Sequence, residues 1–426
     1  MNEQTRELFS FINASPTAFH VVDNIKKMLI NEGYSELFEH QPWHLLEGGK
    51  YFVTKNGSSI VAFKVPFKNK KSFSIVATHC DSPTFKLKTN ADKKGGGDSG
   101  VISTECYGGA ILSSWFDRPL SIAGRAVVCE NGQYSSRLFN IDRDFCIIPN
   151  VAIHFNREIN NGFKIMPNVD TLPLYSMGEG SIEDEIKKVV DCDEILSTDA
   201  YLYLRQQGVE FGLNDEFIGA PKLDDLMCVF SSLKAFLYAD ESASIPVLAV
   251  FDNEEVGSET KQGAASTFFK DTLKKASLSL NLDDGVFSQS FMVSADNAHA
   301  IHPNHPEYSD LQNAPKLNGG VVIKHNANQR YATDAVSAGV FKGICKKAGV
   351  PVQVYHNRSD LPGGSTLGSI ADTMLPVMTV DIGLPQLAMH SAFETAGAKD
   401  LAYLIDALTA FYSSTFYKDA NDVVVE

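Results

Sequence analysis

Two adjacent glutamates, Glu254 and Glu255, are the residues of this chain best placed to do chemistry. They follow an apolar run from Pro246 to Val250, whose β-branched residues predict a buried strand that ends in a loop. In open α/β sheets, ligands bind beyond the carboxyl ends of the strands. Because two buried carboxylates repel each other and resist ionisation, a divalent cation is the usual reason for holding them together. The alternative is a solvated pair at a loop tip, and the rest of the chain must decide between the two.

A histidine and an aspartate follow a second predicted strand. The run from Phe73 to Thr78 leads into His79 and Asp81, which share one face if the extended backbone continues. His79 can bind a metal while Asp81 orients a neighbouring group. The alternative for His79 is a hydrogen-bonded core histidine. Cys80 points to the opposite face, and we interpret it as a small buried residue.

Three more candidates lie at similar positions further along the chain. Asp224 opens a predicted helix, where the helix dipole favours carboxylates, Asp296 follows a predicted strand, and His390 lies in a late loop. Elements of this kind can bring nitrogen and oxygen ligands from separate loops to one edge of a sheet, where they would suit two divalent ions with one bridging carboxylate. The complete set of predicted ligands is His79, Asp224, Glu255, Asp296 and His390.

Composition limits the classes of protein to consider. The chain has 426 residues, 44% of them hydrophobic, and a net charge of −15, which disfavours nucleic acid and anionic membranes as partners. The charged residues Glu3, Arg6 and Glu7 interrupt the start of the chain, unlike a signal peptide, and seven cysteines are scattered without a C-x-x-C pair. We therefore expect a cytoplasmic protein with reduced thiols.

The order of predicted elements indicates two domains. Strands and helices alternate in residues 1–87 and 221–426, which predicts an α/β domain with a mixed sheet flanked by helices. Residues 88–220 hold short β-like runs with turn signals, which predict an inserted β-rich domain. At the start of this region the lysines from Lys86 to Lys94 suggest a solvated loop. Within it, Val151 to Arg157 predicts an apolar strand that makes His154 a core histidine.

Several short segments occur in the order found in one enzyme family. The chain resembles the aspartyl aminopeptidases, a family of dinuclear zinc metallopeptidases, over nearly its whole length. The segments that carry the resemblance are ATHCDSP, PKLDDL, FDNEEVGS, SADNAHAIHPN, VIKHNANQRYAT, GGSTLG and QLAMHSAFE. The resemblance implies a zinc-aminopeptidase-like catalytic domain and an inserted dimerisation domain.

The resemblance also implies roles for the five predicted ligands. Residues matching His79 and Asp296 hold one metal ion, and residues matching Glu255 and His390 hold the other. Asp224 matches the bridging aspartate. Two divalent ions per subunit are expected. Zinc is the expected metal, with cobalt or manganese as alternatives.

Further implied roles concern catalysis and assembly. Glu254 matches the general base. Asp81, which from its position orients a neighbouring group, is our own candidate catalytic residue beside it. His154 matches a histidine that family members supply to a neighbouring subunit's active site, where it helps to stabilise the oxyanion. The resemblance implies dimers through the insert and a tetrahedral dodecamer built from them.

Peptides are the expected substrates, and three residues are candidates for binding them. Lys324 is the candidate partner for an acidic first side chain, with a solvent-exposed lysine at a strand end as the alternative. His302 follows the Asp296 segment, and Gly364 lies in a glycine-rich stretch that could present backbone N–H groups to an anion. Asp225 stands where relatives often have asparagine, which leaves open which carboxylate of the Asp224–Asp225 pair bridges.

The sequence leaves other functions open. The same chemistry could serve neutral first residues, and a related dinuclear zinc deacylase or carboxypeptidase would use the same ligands. A non-catalytic shell protein would lack the base or a ligand, and neither is missing here.

Overall fold

Helices pack against both faces of a large mixed sheet. The computed structural model describes residues 1–283, 285–361 and 363–426. The α-helices are α1 (Glu3–Ala14), α2 (Ala18–Asn31), α3 (Pro167–Asp170), α4 (Ile182–Val190), α5 (Leu223–Tyr238), α6 (Phe268–Ser279), α7 (Gly285–Ser288), α8 (Ala335–Lys347), α9 (Leu367–Met374) and α10 (Asp400–Tyr412).

The first strands run from the N-terminal part of the chain into the region predicted as an insert. They are β1 (Ser35–Glu36), β2 (Lys50–Lys55), β3 (Ser59–Lys64), β4 (Ser72–His79), β5 (Thr84–Lys94), β6 (Ser99–Tyr107), β7 (Leu120–Glu130), β8 (Gln133–Asn140), β9 (Leu174–Met177), β10 (Ser197–Leu204), β11 (Val209–Phe211) and β12 (Phe217–Ala220).

The remaining strands belong to the second half of the chain. They are β13 (Ser244–Phe251), β14 (Phe291–Ala295), β15 (Ala298–His299), β16 (Val321–His325), β17 (Val352–His356), β18 (Met378–Gly383), β19 (Pro385–Leu387), β20 (Glu394–Gly397), β21 (Phe416–Asp419) and β22 (Asp422–Val425).

The central sheet contains nine strands in the order β1-β2-β3-β13-β4-β14-β18-β16-β17. Strands β13, β4, β14 and β18 are parallel neighbours, whereas β3 and β16 join them in the antiparallel sense. Every residue of β4 and β13 is buried, as expected for strands covered on both faces. The carboxyl ends of β13, β4 and β14 therefore meet at one edge of the sheet.

Side chains that alternate along these strands form two separate cores. Val76 and Leu248 pack on one face with α1, α2, α5, α8 and α10. Ile75 and Val247, their neighbours in sequence, pack on the other face with α6 and α9. The period of two along each strand places successive residues on opposite faces. These layers confirm the predicted α/β class with a mixed sheet flanked by helices.

A second sheet lies largely within the predicted insert. Its order is β8-β7-β10-β5-β6-β9, and its apolar side chains form a core of their own. Strand β12, in the same predicted range, pairs with β20 instead, in a five-stranded sheet. The division at residues 88–220 and the dimerising role of the insert stay predictions.

Two local predictions in this region are wrong. The lysines from Lys86 to Lys94 lie on β5, not in a loop, because Phe85 and Leu87 alternate with them and point into the core. The segment around His154 is an exposed turn, not a buried strand, with Phe155 N–H donating to Ala152 O at 2.9 Å.

Two further observations concern the cysteines and the helices. The seven cysteines, all within the part of the chain that the structure describes, are free. Cys80 is buried, as predicted, and its Sγ donates to Ser58 O at 3.2 Å. Among the described helices, none has the length and apolar character needed to cross a membrane.

Candidate active site

Three neighbouring strand ends bring the first candidate residues together. His79 is the last residue of β4 and lies opposite Phe251, the last residue of β13, in the parallel register. Asp296 directly follows β14 on the other side of β4. The register therefore accounts for the proximity of the loop bearing Glu254 and Glu255 to His79 and Asp296.

A tight loop after β13 presents the two glutamates. Asn253 has a φ of 64°, and a short 3₁₀ turn covers Glu254–Val256. The carboxylate of Asp81 holds this turn, because its Oδ1 accepts the N–H of Glu254 and its Oδ2 accepts the N–H of Glu255, both at 3.1 Å. Asp81 thus fixes the backbone from which both glutamate side chains project.

Asp224 lies between the two candidate histidine ligands. Its Oδ1 is 3.6 Å from Nε2 of His79, and its Oδ2 is 3.6 Å from Nε2 of His390. The same nitrogen of His390 is 3.3 Å from Oε2 of Glu255. One carboxylate that faces two separate histidines has the arrangement of a bridging ligand.

The other ring nitrogen of each histidine faces a backbone carbonyl. Nδ1 of His79 is 3.1 Å from Asp81 O, and Nδ1 of His390 is 3.1 Å from Gly109 O. Since a carbonyl oxygen can only accept, we assign a proton to Nδ1 of each ring. In the neutral form that binds a metal, each Nε2 then offers a lone pair toward Asp224, as in metal-binding histidines whose second nitrogen is held by a carbonyl.

The side chains present fit divalent metal ions. Oδ1 of Asp224 and Oδ1 of Asp225 are buried and have no hydrogen-bond partner within the described structure, a costly arrangement that a cation would relieve. Potential ligand atoms lie within 4.8 Å of one another in two groups that share Asp224. His79, Asp225 and Asp296 complete the first group, and Glu255 and His390 complete the second. Histidine nitrogen and carboxylate oxygen are ligands that suit zinc.

The electrostatics of the cluster favour a cation. Burial and then the charge of Asp224 raise the pKa of Glu255 well above its usual value. Burial also raises the pKa of Glu254 to about 8, although the charge of His79 opposes the shift. Buried carboxylates raise one another's pKa when little positive charge lies nearby. Bound metal ions would supply that positive charge.

A cavity of about 190 Å³ opens beside these residues. Lys324 and Gly364 contribute to its wall, together with His299, Tyr331 and Tyr355. Lys324 is only 2% exposed, donates from Nζ to Asn297 O at 3.1 Å, and lies 3.6 Å from Oδ2 of Asp296. Burial disfavours its charge, but Asp296, Tyr331 and Asp381 together outweigh that effect and raise the pKa of Lys324.

Comparison with known proteins identifies the family. The family model described as aminopeptidase I zinc metalloprotease (M18) matches residues 11–412, most of the chain. A relative described as "Probable M18 family aminopeptidase 2", from Clostridium acetobutylicum, is 44% identical over 427 residues, covering 96% of this chain and 99% of the relative. The chain belongs to the M18 family of zinc metallo-aminopeptidases. The resemblance found in the sequence is confirmed at the level of the family.

Solved structures share the fold of this M18 chain. A cryo-EM structure described as the Ape4 and Nbr1 complex matches with a TM-score of 0.91 and 35% identity, covering 96% of this chain and 85% of the other. A structure described as the mApe1 dodecamer of S. cerevesiae matches with a TM-score of 0.82 and 24% identity, covering 96% of each chain. The second likeness concerns the fold alone.

Three predicted site residues of this M18 chain lie outside the cavity wall, namely Asp81, which holds the backbone of the Glu254 turn, His302 and His154. His302 is exposed, and its Nδ1 accepts the N–H of Asn304 at 3.2 Å. His299, three residues earlier, lines the cavity instead. His154 is exposed on its turn and, within the described single chain, does not line the cavity. The roles of His302 and His154 therefore stay predictions.

Sequence reasoning missed a buried glutamate of the M18 site. Glu394 is 2% exposed, and its carboxylate accepts the N–H of Asp224 at 2.9 Å and the N–H of His390 at 2.8 Å. Burial and then the charge of Asp224 raise the pKa of Glu394, against these two hydrogen bonds. Its position four residues after a candidate ligand histidine was the available signal.

Proposed function

We propose that this M18 aminopeptidase removes N-terminal residues from peptides at a centre of two divalent ions, with Glu254 as the general base. The observation that carries the proposal is the position of Asp224, whose two carboxylate oxygens face Nε2 of His79 and Nε2 of His390. Asp296 would complete one site and Glu255 the other. Zinc is the proposed metal on the basis of the family and the donor set.

The ions, when bound, supply Lewis-acid polarisation of the scissile carbonyl and lower the pKa of an attacking water. Glu254 would accept a proton during attack and return it to the leaving amine. Its backbone is held by Asp81, and its side chain lies in a group with His79 and Glu255 in which ligand atoms are within 4.8 Å of one another. A bound cation would favour the ionised form of Glu254 that a base requires.

We further propose that the first side chain of the substrate is acidic and contacts Lys324. An ammonium has three N–H donors; Nζ of Lys324 donates to Asn297 O, lies 3.6 Å from the carboxylate of Asp296 and is 5.4 Å from the centre of the Tyr331 ring. A donor is therefore left for a substrate carboxylate that enters the cavity. The aromatic rings of Tyr331 and Tyr355 would line the same pocket.

Initial rates of residue release test this proposal directly. The substrates are matched peptides that begin with Asp, Glu or Leu, each with a free or an acetylated N-terminus, and the protein is loaded with zinc. Preferred release of Asp and Glu from free peptides supports both the reaction and the selectivity. Preferred release of Leu removes the role of Lys324 while keeping the reaction. Cleavage of the acetylated peptides would instead favour a deacylase or carboxypeptidase.

Self-association through the insert is also proposed. Around His154, Ile153 is 47% exposed and Phe155 is 87% exposed, which is unusual for side chains of this size. One structural neighbour of the same fold is described as a dodecamer. A dimer that covers these side chains would explain their exposure and could carry His154 to the active site of a second subunit, within a tetrahedral dodecamer.

A further inference from the structure

One segment of the second sheet reaches the candidate active site from outside the central sheet. It begins at Tyr107, the last residue of β6, and continues through Ile111. Gly109 O faces Nδ1 of His390 at 3.1 Å, and the N–H of Ile111 donates to His390 O at 2.9 Å. This segment therefore holds both the ring and the backbone of a candidate metal ligand.

The hydroxyl of Tyr107 has a fixed direction of hydrogen bonding. It lies 2.7 Å from Oδ2 of Asp81, and it accepts from Nδ2 of Asn253 at 2.8 Å. An amide nitrogen can only donate, and an ionised carboxylate can only accept. The single hydroxyl proton of Tyr107 is therefore committed to Asp81.

Asp81 connects this hydroxyl to the loop that carries Glu254 and Glu255. Its carboxylate accepts the N–H groups of Glu254 and Glu255, and the residue is only 4% exposed. Because water has little access, a lost donor at Oδ2 would not be replaced easily, and the carboxylate could turn away from the two N–H groups. The orientation of the loop therefore depends on a residue outside the central sheet.

We propose that Tyr107 is a positioning residue for the reaction: through Asp81 it fixes the backbone that carries the base Glu254 and the ligand Glu255. The inference rests on the proposed function, which gives Glu254 its role. It makes the second sheet part of the active site of its own chain. This contribution is separate from any role of His154 in another subunit.

The test compares Tyr107→Phe with Tyr201→Phe. The ring of Tyr201 packs edge-on against Tyr107, with centroids 5.7 Å apart, and its hydroxyl has no hydrogen bond to the described residues. In zinc-saturated protein, Tyr107→Phe should lower kcat by about 10- to 100-fold with KM changed less than about twofold. Tyr201→Phe should stay within about twofold of wild type. Wild-type kcat in Tyr107→Phe would overturn the inference.

Hydrogen exchange provides a readout that does not depend on turnover. In metal-free protein, mass spectrometry of a peptide that covers Glu254 and Glu255 should show faster amide exchange in Tyr107→Phe than in wild type or Tyr201→Phe. Equal exchange in all three proteins would contradict the inference. Thermal unfolding and size-exclusion profiles of the two variants establish that they are equally folded and assembled.

A double substitution separates positioning from a general loss of packing. In an Asp81→Asn background the link from Tyr107 to the loop is already altered, so adding Tyr107→Phe should lower kcat by less than about twofold. A full additional loss would overturn the role of Asp81 as intermediary. Activity retained in Glu254→Gln would refute the proposed base instead, whatever Tyr107→Phe does, so the two failures are distinguishable.

Discussion

Glu394 lies directly behind Asp224, and its Oε2 accepts the backbone N–H of Asp224 at 2.9 Å. Its other oxygen, Oε1, accepts the N–H of His390 at 2.8 Å. One buried carboxylate thus fixes the backbone of the candidate bridging ligand and of a candidate terminal ligand. The positions of the ligands are therefore set by a residue that need not touch a metal.

Substituting Glu394→Gln should weaken zinc binding by about 10- to 100-fold. Glutamine has nearly the same shape but only one acceptor oxygen, so its amide group would face one of the two N–H donors. Competition between the metal-free protein and a chelator of known affinity measures the change. Glu307→Gln, at an exposed position, is the matched control and should bind zinc as wild type does. Equal zinc affinity in both variants would refute the role of Glu394.

Substituting Glu254→Gln should leave zinc binding close to that of wild type and lower kcat by about 10²- to 10⁴-fold. The amide keeps the shape of the side chain but cannot accept the proton from the attacking water. Zinc content by elemental analysis and turnover of a preferred peptide are measured on the same sample. Full activity at normal zinc content would remove Glu254 from the proposed role.

Mixing two inactive proteins should test the proposed role of His154. A His154→Ala subunit keeps its own base, and a Glu254→Gln subunit keeps its His154, so co-assembled dimers would contain a complete site if His154 acts in trans. We expect partial recovery of activity after co-expression, compared with either variant alone. No recovery in samples shown by mass spectrometry to contain mixed assemblies would contradict action between subunits.

Much of the central sheet and several candidate ligands could be predicted because their signals are local. The apolar runs that form β4, β13 and β14 predict strands. His79 lies at the end of the first run, and Asp296 directly follows the last. Tyr107 gave no such signal, and for Glu394 the only local signal was its position four residues after His390. Each acts through hydrogen bonds to residues distant in the chain, as between Tyr107 and Asp81, which only the folded topology brings together.

The incorrect strand around His154 has a physical explanation. Its apolar side chains resemble a core strand in pattern, yet Phe155 is almost fully exposed. A hydrophobic pattern predicts which side chains are shielded from water. It does not show whether a core or another subunit covers them. The lysines on β5 led to the opposite error. They predict a solvated loop, although Phe85 and Leu87, which alternate with them, are buried in a strand.

Stability should fall as the pH falls below about 6.5, and His20 should contribute to the loss. Burial, followed by the charge of Lys222, lowers the pKa of His20 to about 4, and its Nδ1 is 2.8 Å from Oγ1 of Thr17. The unfolded chain, with a histidine pKa of about 6.5, binds this proton more readily than the folded protein between these two values. The contribution is therefore complete above about pH 6.5 and is lost progressively toward pH 4.

Substituting His20→Gln removes this titration. Relative to wild type, the variant should gain about 2 kcal/mol in the free energy of unfolding when the pH is lowered from 7.5 to 5. Urea unfolding of metal-free protein at both pH values and one protein concentration measures the change, and comparing the two proteins cancels the titration of the site carboxylates. A constant difference between wild type and variant across this range would show that His20 is not held neutral by its burial beside Lys222.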